Sequence, residues 1–307
     1  MEIVSVVIPT HNRSELIENA VKSVLKQTYT NFEIIIVDDA STDNTESIVK
    51  SINSEKITYI KIKESRGGNY ARNLGAKNSK GSFIAFLDDD DEWLPNKLET
   101  QMKIFAKNPQ IGLIYTGAEI IYKNNKYIRE PKKEGNLSKT ILMRNFIGTT
   151  SSVVVRKEIF NMAGGFDNEM PALQDYDLWI RICQITNIGF VREPLIKYYN
   201  HANINQITDN LSKIQIGIER IDHKYKELIS QLSKREQKKR IFQRYNGFGK
   251  RKLRIGEKKE ARKYFLESFK KTTNITSIKL YIASFFEFDM LIRLKNIIDK
   301  MIHRIIN

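Results

Sequence analysis

The chain has 307 residues, 41% hydrophobic and 28% charged, with a net charge of +15 and a single cysteine, Cys183. It is long enough to bury a large core in one domain or two, the lone cysteine excludes an internal disulfide framework and suits a reducing compartment, and no run approaches the roughly 18 uninterrupted apolar residues of a membrane span. Met1 leads directly into Glu2-Ile3-Val4-Ser5-Val6-Val7-Ile8, without the basic stretch and cleavage site of a leader, so a cytoplasmic protein is expected.

The charge is uneven. Residues 1–204 carry 26 Lys/Arg against 25 Asp/Glu, a net +1, whereas residues 205–307 carry 25 against 11, a net +14. This break predicts a neutral globular domain over 1–204 and a basic region over 205–307 that faces something anionic.

In chain order, the apolar β-branched run over 3–9 closes at Pro9. Thr10-His11-Asn12-Arg13-Ser14 then supplies loop and capping chemistry ahead of helical spacing at Leu16, Ala20, Val24 and Leu25. The same unit recurs with a strand over 32–37, a loop from Asp38 to Asp43 and a helix over 45–51, and again with a strand over 57–62, a loop Ser65-Arg66-Gly67-Gly68 and a helix over 69–77. A fourth strand over 82–87 ends on Asp88-Asp89-Asp90-Asp91-Glu92-Trp93. Nearly all-apolar strands alternating with helices predict a parallel sheet covered on both faces, with its ligand site beyond the carboxyl ends of the strands. A dinucleotide site would need Gly-x-Gly-x-x-Gly after the first strand, and that loop has no glycine.

The acid cluster is the most informative stretch. Adjacent carboxylates repel and raise one another's pKa, so such a cluster commonly persists around a cation, and an oxygen-only donor set points to Mg²⁺ or Mn²⁺. The competing reading is an acidic loop tip or a set of helix caps ahead of Pro95.

Beyond Trp93 the pattern gives a helix over 96–107, a strand over 111–115, a hairpin turn at Asn124-Asn125, a loop entering a strand over 147–155 and a helix over 157–162. Gly164-Gly165-Phe166-Asp167 precedes Gln174-Asp175-Tyr176-Asp177-Leu178-Trp179, which opens a further helix containing Cys183, and strands follow over 188–191 and 195–199 before Asn200-His201.

Six of these pieces, from Val4-Ser5-Val6-Val7-Ile8-Pro9-Thr10, through Ile36-Val37-Asp38-Asp39-Ala40-Ser41, Ala71-Arg72-Asn73-Leu74-Gly75, Phe86-Leu87-Asp88-Asp89-Asp90-Asp91 and Gly164-Gly165-Phe166-Asp167, to the stretch from Gln174 to Trp179, give the chain a resemblance to family 2 glycosyltransferases of the GT-A fold. The resemblance covers residues 3 to about 201 and implies an α/β, Rossmann-like mixed sheet that binds a nucleotide-sugar, with an α-helical basic extension after it. It further implies that Pro9, Thr10 and Asp39 hold the uracil and ribose, that Arg72 supports the nucleotide, and that Asp88 and Asp89 meet the donor. Asp90 and His201 would hold Mn²⁺ or Mg²⁺ at the diphosphate, Gly164 and Gly165 would let the backbone pass close to donor and acceptor, and Asp175 would be the general base.

Two departures matter. Gln174 stands where the family usually has an acidic residue, and the four aspartates allow the metal-binding Asp-x-Asp pair to be Asp88/Asp90, our choice, or Asp89/Asp91. The Gln-x-x-Arg-Trp motif of processive members is absent, which favours transfer of one sugar per encounter. Each assignment has a plainer counterpart: Asp39 and Asp43 as helix caps, with capping preferred for Asp43, Arg72 in a surface ion pair, and His201 as a structural histidine.

From Ile204 onward the pattern is helical, and Ala261-Tyr264-Phe265-Ser268-Phe269 has the small-aromatic rhythm of stacked helical pairs. A last helix over 289–306 sets Leu291, Leu294, Ile297, Ile298, Met301, Ile302 and Ile305 against Arg293, Lys295, Lys300 and Arg304. Such a helix suits either an anionic membrane surface, at the inner face of the cell membrane, or the packing face of a bundle or homo-oligomer. Nucleic acid ranks last, since no recognised module accompanies the charge.

The expected activity is therefore an inverting, metal-dependent transfer of sugar from a nucleotide-sugar, which the resemblance implies to be UDP-linked, to a glycan or lipid-linked acceptor. The alternatives are a nucleotidyltransferase acting on a sugar phosphate, whose Gly-rich loop with a basic residue is missing after the first strand, and a non-catalytic basic membrane- or nucleic-acid-binding protein.

Overall fold

The computed structural model describes residues 2–122, 125–200, 211–287 and Met290. The chain forms two compact units, one of residues 1–121, 128–138 and 145–200, the other of residues 122–127, 139–144 and 201–307. Composition does not announce the two short excursions that join the second unit.

In the first unit, β1 (Val4–Thr10), β2 (Phe32–Asp38), β3 (Ile57–Lys61) and β4 (Phe83–Phe86) are parallel neighbours in the order β3-β2-β1-β4. The helices α1 (Ile17–Leu25), α2 (Thr45–Ser51) and α3 (Gly68–Asn78) connect them. β1, β2 and β4 are buried on both faces because their residues are mostly Val, Ile or Phe, and every residue of β1 is buried, whereas the edge strand β3 is only partly covered, with Thr58 and Lys61 exposed. Polar groups therefore collect only where the strands end, so the four loops after β1 to β4 share one edge of the sheet.

The sheet then becomes mixed. It continues β4-β8-β6-β9-β5, where β5 is Glu92–Trp93, β6 is Ile111–Tyr122, β8 is Val153–Arg156 and β9 is Asn187–Asn200, and β7 (Asn125–Arg129) pairs with β6 off this path. β8 runs antiparallel to both β4 and β6. The two strands expected over 188–191 and 195–199 are one. Past Pro194, Ile196 still finds Trp93 and Lys197 finds Glu92, so β5 supplies a partner where a proline alone suggests a break. The strand expected over 111–115 likewise extends to Tyr122. Three helices support the site: α4 (Lys97–Lys107), α6 (Lys157–Met162) and α7 (Gln174–Ile185).

The second unit contains α5 (Ser138–Met143) in large part, α8 (Leu211–Lys224), α9 (Lys226–Ser230), α10 (Lys234–Arg254), α11 (Lys258–Thr272) and α12 (Ile275–Ala283). The helical pattern expected from Ile204 onward breaks between α8 and α9 at the buried Tyr225. Ala261, Phe265 and Ser268 face inward as the small-aromatic rhythm requires; Phe265 lies so close to Gly249 that an added Cβ would be 2.4 Å from its ring. Ser233 and Glu236 form a capping box at the start of α10. Asp222 accepts from Arg240 and Arg244 at 2.5 and 2.6 Å. The expected terminal helix over 289–306 lies outside the described residues, apart from Met290.

Candidate active site

At the end of β1 and β2, Pro9 pairs with Val37 and Thr10 with Asp38. The Thr10 hydroxyl is buried and makes no hydrogen bond of full geometry, although it sits near enough to Asp89 to hold that carboxyl down somewhat. Asp39 is 4% exposed, and its carboxylate accepts from the Ser65 hydroxyl at 2.7 Å and from the Arg66 and Gly67 backbone N–H groups at 2.7 and 2.8 Å. It therefore fixes the loop before α3, a contact that the sequence reading did not foresee. Asp43 is the helix-start residue expected: burial alone would raise its pKa, but donors from Thr45 and Ser14 hold it down at about 2.

The acid loop is a turn closed by the Asp91 N–H to the Asp88 carbonyl at 3.1 Å. Its four carboxylates have different environments. Asp88 accepts from Arg72 Nη2 at 2.5 Å and from the Thr150 hydroxyl at 3.1 Å, so Arg72 joins the acid cluster rather than a surface pair. Asp91 is 1% exposed and accepts from the Ser151 hydroxyl at 2.5 Å and the Tyr199 N–H at 3.3 Å; burial, with Asp90 and Asp88 nearby, pushes its pKa well up. Burial, then the Asp90 charge, raises Asp89 to about 7. Asp90, at the apex of the turn, is only half-buried.

Asp175 sits in the first turn of α7, after Leu173 in left-handed backbone at φ 60°. Its carboxylate accepts from the Asn145 side chain at 2.9 Å and from the Tyr176 N–H at 2.7 Å. Burial raises its pKa to about 6, with Asp88 adding to the rise and Arg72 opposing it. Asp175, Asp88 and Arg72 are thus electrostatically coupled in one crevice, although they lie far apart in sequence.

Gly164 and Gly165 both have positive φ, 80° and 67°. A Cβ on Gly165 would come within 2.7 Å of Asn73 Oδ1. Asn73 accepts from the Phe166 N–H and donates to the Phe166 carbonyl, both at 2.8 Å, while Arg181 donates to the Ala163 and Gly165 carbonyls and pairs with the buried Asp177. The glycine loop is thereby clamped between α3 and α7. His201 lies outside the described residues. Trp179 is fully buried, as expected of a core residue, and also donates to the Gly148 carbonyl at 3.1 Å.

The sequence reading missed Asn145, Thr150 and Ser151. They lie in a loop and a short 3₁₀ turn (Thr150–Ser152) with no charge, glycine cluster or periodicity to mark them; only the run of small hydroxyl residues ahead of β8 was a signal.

The sequence model of glycosyl transferase family 2 matches residues 5–162. The chain belongs to this family. Its relatives are named as glycosyltransferases: an uncharacterized glycosyltransferase of Haemophilus influenzae is 29% identical over 278 residues, 89% of this chain and 92% of that protein. The Escherichia coli UDP-Glc:alpha-D-GlcNAc-diphosphoundecaprenol beta-1,3-glucosyltransferase WfgD is 34% identical over 211 residues, 69% of this chain and 81% of that protein. An uncharacterized glycosyltransferase of Rickettsia bellii is 37% identical over 210 residues, but this chain spans only 30% of its length. Among solved structures, S. aureus TarS 1-349 in complex with UDP-GlcNAc aligns with a TM-score of 0.59 at 16% identity, covering 92% of this chain and 89% of that one. The mannosyltransferase PcManGT of Pyrobaculum calidifontis, in complex with GDP-Man and Mn2+, aligns at 0.55 and 18% identity, covering 73% and 64%. The family 2 glycosyltransferase described here thus has the GT-A fold, a mixed sheet, with a helical C-terminal region.

Proposed function

We propose that the chain is an inverting, metal-dependent glycosyltransferase that moves one sugar from a UDP-sugar to a hydroxyl of a lipid-linked glycan. The observation that carries this reading is Asp175: a single carboxylate, raised to about 6 by burial, in the same crevice as Arg72 and the acid loop. A base of that pKa is ionised near neutral pH yet still basic enough to accept a proton. The acceptor hydroxyl gives its proton to Asp175, its oxygen bonds to the anomeric carbon, and the bond from that carbon to the diphosphate oxygen breaks with its electron pair leaving on the diphosphate. Attack opposite the leaving group inverts the configuration, by the facing-group logic of glycoside chemistry.

For the metal, the acid loop offers only oxygen donors, which suits Mg²⁺ or Mn²⁺. Among the described residues no three His, Cys, Asp or Glu side chains gather into a ready-made cage. Mg²⁺ commonly binds through one or two carboxylates together with water and substrate phosphates, so a pair from the turn is a sufficient protein share. Asp90 is the proposed ligand, with His201, which lies outside the described residues, proposed as a second, and Asp88 and Asp89 as donor contacts. The half-burial of Asp90 supports the Asp88/Asp90 choice, because Asp91 is sealed by Ser151 and Tyr199. When bound, the ion neutralises charge on the diphosphate. Thr10, with its unbonded hydroxyl, Pro9 and Asp39 line the nucleotide end, where Asp39 acts through the loop it ties down.

The UDP donor and the lipid diphosphate acceptor are supported by the activity that WfgD is named for and by the UDP-GlcNAc bound to TarS. An anionic membrane surface as a partner, with residues 205–307 as a separate basic region, is supported by the charge excess of that region. Among the described residues no helix is long and apolar enough to cross a membrane. A donor panel assayed for nucleoside diphosphate release, with Mn²⁺ and with EDTA, tests the reading. Release from no UDP-sugar in the presence of metal and a diphosphate-lipid acceptor sinks it.

A further inference from the structure

Residues 145–152 connect the two halves of the proposed chemistry. Asn145 donates to Asp175 Oδ2 at 2.9 Å and accepts the Gly148 N–H at 2.9 Å. The Gly148 carbonyl accepts from Trp179, on the same helix as Asp175, at 3.1 Å. A few residues on, Thr150 donates to Asp88 at 3.1 Å, and Ser151 donates to Asp91 at 2.5 Å while accepting the Asp88 N–H at 3.1 Å. Trp93 Nε1, just past the acid loop, returns to the Ser151 carbonyl at 2.8 Å. One short segment therefore holds the base helix at one end and the acid loop at the other. Gly148 permits it: its φ is 92°, and a Cβ there would collide with the Arg129 guanidinium.

We propose that Asn145 is a positioning residue for the base, and that the segment 145–152 sets the placement of Asp175 relative to Asp88. The proposal rests on the assignment of Asp175 as base. Among the described residues, Asn145 is the one side-chain donor to the Asp175 carboxylate, and Tyr176 offers its backbone N–H to the other oxygen. Without Asn145, Oδ2 loses the contact that aims it. The groups facing Asp175 are then the Tyr176 N–H on its own helix, Asp88 from the acid loop and Arg72 from α3. Since Asn145 favours the ionised carboxylate, removing it also shifts the proton affinity of the base upward.

The test compares Asn145→Ala with Asn145→Asp in the full chain. The aspartate keeps the acceptor for the Gly148 N–H and so preserves the turn, but it replaces the donor to Asp175 with a second carboxylate. Both variants are expected to keep donor KM and to lose kcat by at least about tenfold. The acidic limb of the kcat profile moves upward in both, further in Asn145→Asp, and Asn145→Gln restores part of the rate. Asn145→Asp at wild-type kcat, or a loss of kcat with an unmoved limb, overturns the proposal and leaves Asn145 as a turn residue. Asp175→Asn is assayed beside them: retained transfer in that variant defeats the base assignment itself, whereas a dead Asp175→Asn with an unmoved limb in the Asn145 variants defeats only this inference. Thermal melts confirm that each variant is folded.

Discussion

Arg72 and Asp88 form an ion pair at 2.5 Å in which Arg72 Nε, a second buried nitrogen of the same guanidinium, has no hydrogen-bond partner among the described residues. The pair is mostly shielded from solvent, with the arginine side chain 10% exposed and the aspartate 25%. It partly neutralises the acid cluster and leaves the guanidinium with unused donor capacity toward an anionic ligand. Removing one partner leaves the other charge in a poorly solvated place. Arg72→Ala is therefore expected to lower stability by about 1–3 kcal/mol and to weaken UDP binding by about tenfold or more. Chemical denaturation and calorimetric titration with UDP and Mn²⁺ measure the two effects.

Asp175→Asn should abolish transfer while preserving donor binding; loss of both together would mean that the residue serves the donor site. In the wild-type enzyme, kcat is expected to rise through pH of about 6 if Asp175 is the base, as its carboxylate ionises. The stability consequence has the opposite sign. Its folded pKa exceeds the unfolded value of 3.8, so between these two values the folded chain holds a proton that the unfolded chain has lost, and stability falls as pH rises through the window. In Asp175→Asn that part of the pH dependence disappears, which melting temperatures across pH 3–7 would reveal.

The aspartates of the turn separate into ligand and scaffold. Asp90→Asn is expected to raise the Mn²⁺ concentration needed for half-maximal rate about tenfold or more with little change in melting temperature. Asp91→Asn, whose carboxylate lies buried between Ser151 and Tyr199, is expected to lose stability instead. The reverse pattern would move the Asp-x-Asp pair to Asp89/Asp91.

Gly165→Ala should be costly twice over, since φ is 67° and the new Cβ would lie 2.7 Å from Asn73 Oδ1. A loss of roughly 1–3 kcal/mol is expected from the backbone strain, with acceptor KM rising because Asn73 and Arg181 hold this loop from both sides. Gly164→Ala has nothing nearer than Arg181 at 3.8 Å and carries only the cost of its φ of 80°. The difference in melting temperature between the two variants measures the clash.

On the basic unit, Ile275, Lys279 and Ile282 lie along one exposed face of α12, with the exposed Phe285 and Phe286 just beyond its end and Arg262 4.6 Å over the Phe285 ring. On the proposed reading of this basic region, an anionic bilayer would cover this face, since a second copy with net +14 over 205–307 would repel it. The full chain is expected to co-sediment with vesicles containing phosphatidylglycerol, to release at high salt, and to bind less when Phe285 and Phe286 are both changed to serine. Equal recovery with neutral vesicles or none rules the surface out.

The parallel half of the fold was legible because its central strands are buried on both faces, and that requirement writes itself into sequence as unbroken runs such as Val4 to Ile8 and Ile34 to Val37. The same rule drives polar chemistry to the strand ends, so Thr10, Asp39, Arg72 and the acid loop were found together. The antiparallel half was harder to read. Pro194 suggested a break inside β9 that pairing with β5 bridges, and the extension of β6 to Tyr122 has no boundary signal.

Sequence by itself determined the family, the strand-loop-helix repeat and the residue types of the crevice, because each follows from local spacing and burial pattern. Tertiary structure decided what those residues do to one another. It turned Arg72 onto Asp88, sealed Asp91 beneath Ser151, committed Asp39 to the loop over 65–67 and buried Lys97 completely against the Trp93 ring. It also brought Asn145 to Asp175 across 30 residues. Such pairings depend on three-dimensional distance between loops whose lengths carry no periodicity, so no pattern along the chain encodes them.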